Sequence, residues 1–358
     1  MKKVAILGTV GVPACYGGFE TMVENILGDN CSPEVEYTIF CSESNYHQKL
    51  ESFRGAKLKY IKWKANGAQS MIYDSVSLLK CIKGYDTVVM LGVNFAFLFP
   101  IFKLFSKSKL IANIDGVEWK RDKWGKFTKK LIKASESIAK KYADVIIADN
   151  NGIIKNIEDK YQHKSIMIAY GGDHVECGLT QEQTNDFLAK YNVKTKEYSM
   201  ALCRIEPENN CEMILKAYAQ NGLPLIFVGN WSRSAYGQKL QETYSKYDNI
   251  KITPAVYELD ELYALRSNCK YYLHGHSVGG TNPSLVEAMF CNCNILCYDV
   301  VYNKESTEYK ANYFTDSESL SELVTGEETV CNNAQIMYDI ALKSYRWKVI
   351  AEKYEELY

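Results

Sequence analysis

Short apolar runs alternate with amphipathic stretches along the whole chain. In the first half they read VAILG (4–8), YTIFC (37–41), KLKYI (57–61), DTVVMLG (86–92), KLIANID (109–115), DVIIADN (144–150) and SIMIAYGG (165–172). Several are apolar throughout, the pattern of strands covered on both faces, so the sequence predicts a parallel sheet between helical layers. The second half repeats the pattern with YSMALCRI (198–205), PLIFVGN (224–230), IKITPA (250–255), KYYLHGH (270–276) and NILCYDV (294–300). Two doubly wound α/β domains are predicted. Their join is expected in the glycine-broken stretch 169–178, giving domains 1–172 and 173–335. The stretch 334–358 reads as helix, charges spaced among apolar residues, with 336–358 as the closing element.

One run, Thr87 to Phe102, has no charged side chain and approaches the roughly 20 residues of a membrane span. It opens as a β-rich strand and then passes through Gly92, Asn94 and Pro100. Strand, loop and short helix are therefore predicted instead of one spanning helix.

Composition adds limits to this picture. A length of 358 residues exceeds what one core usually organises, in keeping with two domains. A formal net charge of -1 excludes the global electrostatic footprint of a nucleic-acid binder. Twelve cysteines accompany a start, MKKVAILGTV, without the apolar stretch and cleavage site of a signal peptide, which predicts a reducing cytoplasm and buried thiols. Cys291, Cys293 and Cys297 lack the paired spacing of a zinc site, and His274 and His276 do not complete one. No metal or other cofactor is expected.

The segment HGHSVGGTNPSLVEAM (274–289) runs from a strand end through a small-residue loop into a helix expected to begin near Pro283. Thr281 and Asn282 are candidate caps, and backbone N–H groups at the helix start would make an anion site, with Gly279 and Gly280 permitting close approach. Glu287, about one turn inside, is placed to accept hydrogen bonds from ribose hydroxyls. An ordinary capped helix after a glycine turn reads the same way. Arg204, in LCRIEPENN (202–210), stands at the end of the second domain's first strand, where doubly wound sheets bind ligands. Its guanidinium suits a diphosphate, or else a surface ion pair with Glu206 or Glu208.

In the first half, GTVGVPACYGGFE (8–20) follows a strand directly, yet its glycines lack the spacing of a dinucleotide fingerprint. Glu20 reads as an acceptor contact or as a helix N-terminal charge. NIDGVEWKRDKW (113–124) places Asp115 at a strand end, followed by Glu118, Trp119 and Arg121. Asp115 would orient or deprotonate an acceptor hydroxyl, contact a donor sugar, or simply cap a helix.

Together GTVGVPACYGGFETMVE, NIDGVEWKRDKWGKF, LCRIEPENN and HGHSVGGTNPSLVEAM resemble the ordered signatures of bacterial GT-B glycosyltransferases of the retaining family 4 type. The similarity covers about residues 1 to 310 and is greatest to the subgroup with rhamnosyltransferases of capsule and cell-wall polysaccharide assembly. It implies a GT-B fold, two Rossmann-like domains facing each other across a cleft, with a C-terminal helix crossing back to the first domain. It also implies a dTDP- or UDP-sugar donor, L-rhamnose foremost, a polyprenyl-diphosphate-linked or growing glycan acceptor, and retention of configuration. Donor contacts would come from Gly17, Gly18, Arg204, Asn209, Gly279, Gly280, Thr281, Asn282, Ser284, Leu285 and Glu287. Acceptor contacts would come from Tyr16, Glu20, Glu118, Trp119 and Arg121, with Asp115, Arg204 and Glu287 as the catalytic set. The chain departs from its relatives in three places: Gly279 stands where many have a first glutamate, Asn209 where they have a lysine, and no His accompanies Asp115.

Residues 120–141 carry nine basic side chains against Asp122 and Glu136, interleaved with Trp124, Phe127, Leu131, Ile132 and Ile138. Such a basic amphipathic helix suits an anionic membrane surface on the cytoplasmic side, or is a solvated face. Two other functions share the expected architecture, a nucleotide-sugar 2-epimerase and a catalytically silent sugar-nucleotide or glycan-binding protein.

Overall fold

Strands fall where the apolar runs lie, in two separate parallel sheets. The computed structural model describes residues 1–15, 17–93, 95–116, 119, 125–326 and 331–358. It divides into a first unit, 1–170 with 347–358, and a second, 171–346.

The first unit has strands β1 (Lys2–Leu7), β2 (Val35–Ser42), β3 (Ser52–Phe53), β4 (Ala56–Ile61), β5 (Thr87–Leu91), β6 (Lys109–Asn113), β7 (Val145–Ala148) and β8 (Ser165–Met167). They are ordered β3-β4-β2-β1-β5-β6-β7-β8, with only the β3–β4 pair antiparallel. Helices are α1 (Gly18–Ile26), α2 (Ser70–Leu79), α3 (Phe99–Phe105), α4 (Lys126–Tyr142), α5 (Asn151–Ile154) and α6 (Asp159–Gln162). Central strand residues such as Val4, Ile6, Val88, Leu110 and Ile146 are buried on both sheet faces, as their unbroken apolar character requires. Gly8 leaves β1 at φ +84°, and a Cβ there would lie 2.1 Å from the Leu91 carbonyl oxygen, so glycine lets the chain turn against β5. The uncharged run resolves as β5, a loop and α3, with Pro100 in the first turn. No helix among the described residues is long and apolar enough to cross a membrane.

In the second unit, strands β9 (Ser199–Leu202), β10 (Leu225–Val228), β11 (Ile250–Thr253), β12 (Tyr271–His274), β13 (Ile295–Tyr298) and β14 (Asn312–Phe314) are ordered β11-β10-β9-β12-β13-β14. Its helices are α7 (Gln181–Lys190), α8 (Cys211–Asn221), α9 (Ala235–Tyr244), α10 (Leu259–Asn268), α11 (Pro283–Phe290), α12 (Val301–Ser306), α13 (Ser317–Thr325) and α14 (Ala334–Ser344). One core packs Ala201, Leu215, Phe227, Leu273 and Phe314 against Trp231 and Tyr218. All twelve cysteines are free thiols, and Cys291, Cys293 and Cys297 are buried.

The C-terminal stretch is two helices, not one. α14 belongs to the second unit, and only α15 (Trp347–Glu355) with the last residues joins the first, which moves the return point from 336 to 347. There Trp347, Ile350, Ala351 and Tyr354 are buried, and Lys2 and Lys109 donate to the carbonyls of Tyr358 and Leu357 at 2.5 Å each.

One lysine of the basic stretch does not face solvent. Lys120, Arg121, Asp122, Lys123 and Trp124 lie outside the described residues. Lys140 is buried, paired with Glu136 at 3.0 Å and Glu158 at 2.7 Å, and so belongs to the interior face of α4. Lys126, Lys130, Lys133 and Lys141 remain exposed.

Candidate functional site

Adjacent strands β9 and β12 of the second unit run into two loops that are bonded to each other. Ser277 donates to the Glu208 carbonyl from its N–H at 3.0 Å and its hydroxyl at 2.8 Å, and the Asn210 amide donates to the Gly275 carbonyl at 2.9 Å. A Cβ at Gly275 would sit 2.4 Å from the Asn209 carbonyl oxygen, so glycine permits this close packing. Arg204 and the 279–282 loop thereby share one carboxyl-end edge of the sheet, the ligand-binding edge of doubly wound folds.

Arg204 is exposed, and its guanidinium pairs with no described residue; the ion pair with Glu206 or Glu208 does not form. Asn209 is buried, and its amide donates to the Arg204 carbonyl at 2.8 Å. It braces the loop that presents Arg204.

α11 starts as its sequence predicts, with Pro283 in the first turn and Asn282 as N-cap. The Asn282 Oδ1 accepts from the Ser284 N–H at 3.1 Å and the Ser284 hydroxyl at 2.9 Å, and the N–H groups of Leu285 and Val286 bond the Asn282 carbonyl. The helix therefore consumes its own first donors, a correction to the anion site drawn from them. Ser284 is spent on the cap, and the Leu285 side chain is buried. Among the described residues, the N–H groups of Gly279, Gly280 and Asn282 make no hydrogen bond, so the free donors lie in the preceding loop. Thr281 is buried beneath that loop, 3.5 Å from the Ser306 hydroxyl. Gly279 has φ +124° with open space where a Cβ would be. The glutamate that relatives carry there would strain the backbone, so its loss goes with a loop shape that glycine permits.

Glu287 sits on α11 with its Oε2 2.6 Å from Arg266 Nη2 and its Oε1 3.7 Å from His174 Nε2. Arg266, on α10, is fully buried. Burial opposes its charge, but the adjacent Glu287 carboxylate more than compensates and holds the guanidinium pKa above its ordinary value. Arg266 escaped the sequence reading because one arginine in LYALRSNC looks like a surface residue. Before the loop, His274 and His276 stack with ring centroids 4.3 Å apart. Burial pushes the His274 pKa down to about 3, so the imidazole is neutral. Among the described residues no group of His, Cys, Asp and Glu is arranged to hold a metal ion.

In the first unit, Gly17 is the N-cap of α1 and Gly18 its first residue. Glu20 is buried, its Oε1 accepting from the Thr9 hydroxyl at 2.9 Å and the Val10 N–H at 2.7 Å. It clamps the loop after β1. Asp115 follows β6 in the left-handed region at φ +56°, partly buried, its N–H donating to Asn113 Oδ1 at 2.9 Å. Asn113 in turn donates to the Tyr354 hydroxyl at 2.9 Å, so α15 braces the Asp115 loop from below. Trp119 is partly buried, with Lys133 Nζ 4.9 Å from its ring centre. Tyr16, Glu118 and Arg121 lie outside the described residues.

Residues 182–334 match the family model for glycosyl transferases group 1, and residues 1–173 match a domain of unknown function, DUF1972. No curated protein sequence matches the chain. Among solved structures, a sucrose-phosphate synthase from Thermosynechococcus elongatus superposes with a TM-score of 0.80 at 14% identity, covering 100% of this chain and 98% of that one. Anabaena HepE in complex with UDP-glucose gives 0.74 at 13% identity over 99% and 98%. S. aureus MnaA with UDP gives 0.64 at 14% identity over 100% and 98%. These likenesses establish the GT-B fold over the whole chain.

Proposed function

We propose that this chain, whose residues 182–334 are a glycosyltransferase group 1 domain within a GT-B fold, transfers a hexosyl group from a nucleotide-diphosphate sugar with retention. dTDP-L-rhamnose is the proposed donor, and a polyprenyl-diphosphate-linked or growing surface glycan the acceptor. One observation carries this reading: an exposed Arg204 with no partner among the described residues, beside a loop whose Gly279, Gly280 and Asn282 N–H groups bond none of them, on the ligand-binding edge of the sheet. A diphosphate matches both features, and the nucleotide of HepE and MnaA complexes is of that class.

In the proposed step the bond from the sugar's anomeric carbon to the diphosphate breaks as the acceptor oxygen bonds that carbon on the same face. The acceptor proton passes to the departing phosphate oxygen. Arg204 and the N–H groups of Gly279, Gly280 and Asn282 stabilise the charge that grows on the diphosphate, the role expected to contribute most, without a resident metal. Glu287 receives ribose hydroxyls on Oε1, and Asp115 orients the acceptor hydroxyl. The exposed lysines of α4 give peripheral contact with an anionic membrane on its cytoplasmic face, where a lipid-linked acceptor would lie.

Incubation with a panel of nucleotide sugars and lipid-linked acceptor tests this reading. Acceptor-dependent release of nucleoside diphosphate, with a product of unchanged anomeric configuration by NMR, supports it. Binding of a donor without turnover would support a silent binding module instead, a reading favoured by Asn209 and Gly279 replacing a cation and a carboxylate. Exchange at C2 of the free donor would make it an epimerase.

A further inference from the structure

We infer that α3 inserts into the headgroup region of an anionic lipid surface. Ile101, Leu104 and Phe105 share one face of this helix and are 44%, 76% and 64% exposed. Large apolar side chains exposed singly are ordinary, whereas three on adjoining turns mark an interaction surface. The opposite face anchors the helix through Phe99 and Phe102, both fully buried. α3 also lies against α4. The Ala96 N–H donates to the Ser135 hydroxyl at 2.6 Å, and Lys103 pairs with Asp144, just beyond α4, at 2.7 Å. The apolar face is thus held rigidly beside a basic helix.

Charge selects the occupant. On α4 the exposed residues include Lys126, Lys130, Lys133 and Lys141 and no acid, and Lys107 is exposed just after α3. Phe127, 80% exposed, adds a fourth large apolar side chain at the start of α4. Apolar residues flanked by lysines match the boundary between acyl chains and anionic headgroups. A second copy of the chain would bring the same lysines against each other, which disfavours self-association through this face. The inference rests on the membrane contact proposed for α4 and adds the element that enters the bilayer.

The test uses the full chain with vesicles of phosphatidylglycerol and phosphatidylcholine, and of phosphatidylcholine alone. With anionic vesicles, the added emission of Phe105→Trp shifts to the blue and is quenched by brominated acyl chains. The pair Leu104→Ser and Phe105→Ser lowers vesicle affinity about tenfold or more. Donor turnover without vesicles stays unchanged in that pair, so the proposed chemistry is judged separately. Absent quenching, or parental affinity in the serine pair, overturns insertion by α3. If Lys126→Gln, Lys130→Gln and Lys141→Gln together still abolish binding in that case, the α4 contact stands alone. A parent chain that binds no vesicles overturns both, and a dimer dissolved by the serine pair makes the occupant a second copy.

Discussion

Arg266 and Glu287 form an ion pair at 2.6 Å in which the guanidinium side is 1% exposed and the carboxylate side 19%. Arg266 Nε and Nη1 find no partner among the described residues, so Glu287 is the group that compensates a buried charge. Removing one member of such a pair costs about 3–5 kcal/mol, whereas replacing both by apolar residues is often nearly neutral. Glu287→Ala is therefore expected to destabilise the second unit by about 3 kcal/mol, and Arg266→Met with Glu287→Leu to recover most of that. Urea unfolding of the three proteins checks this. Equal stability of parent and Glu287→Ala would remove the pair from the fold's support, and any loss of turnover in Glu287 variants has to be read beside their folded fraction.

Arg204 presents the opposite case, an exposed cation with no partner among the described residues. Arg204→Ala is expected to leave the unfolding midpoint within about 0.5 kcal/mol of the parent. Its kcat should fall by about 100-fold, the scale on which loss of one charge-stabilising donor acts in a transition state. Arg204→Lys recovers only part, because an ammonium does not bond a diphosphate bidentately. Steady-state kinetics with a cognate donor checks both, and parental kcat in the alanine variant would remove Arg204 from the chemistry.

Strand positions were legible in the chain because each central strand is an unbroken apolar run, a signal that survives without tertiary context. β3, of two residues, is too short to carry it, and β14 reads Asn-Tyr-Phe with no apolar run to mark it. Pro283 and Asn282 were legible for the same local reason, since capping is decided within one turn. What escaped was set by distant partners. Glu20 looks like a helix N-terminal charge until Thr9 and Val10 close on it. Lys140 looks like one more surface lysine until Glu158 reaches it, and Arg266 is buried only because Glu287, in another helix, meets it. The free donors also shifted from helix to loop, since Pro283 lacks an N–H and Asn282 satisfies the next ones.

Asp115 holds a left-handed backbone through Asn113, which is itself held by Tyr354. Tyr354→Phe removes the hydroxyl's bonds with Asn113 and with Met22 Sδ and is expected to cost about 1 kcal/mol; Asn113→Ala removes both links of the Asp115 brace and costs about 1–3 kcal/mol. If Asp115 orients the acceptor, Asn113→Ala lowers kcat at least about tenfold beyond its loss of folded protein, while the KM for donor is unchanged. Thermal unfolding and kinetics on the same samples separate the two effects. Activity that merely follows the folded fraction would assign Asp115 a structural duty.

His274 supplies a pH dependence whose sign follows from its burial. Its pKa is pushed down from 6.5 to about 3 because the buried ring cannot be hydrated when charged. The folded pKa is the depressed one, so its contribution is fully present above pH 6.5 and is lost as pH falls toward 3. Across that window the unfolded chain binds a proton that the folded chain does not. The free energy of unfolding should drop by about 1.4 kcal/mol per pH unit from this residue alone. In His274→Asn that share of the slope disappears, whatever the variant's stability at pH 7. Urea unfolding of parent and variant at pH 7, 6 and 5 measures the difference. Parallel slopes would mean that the His274 imidazole is charged or hydrated in the folded protein, and the neutral state assigned to it would then be wrong.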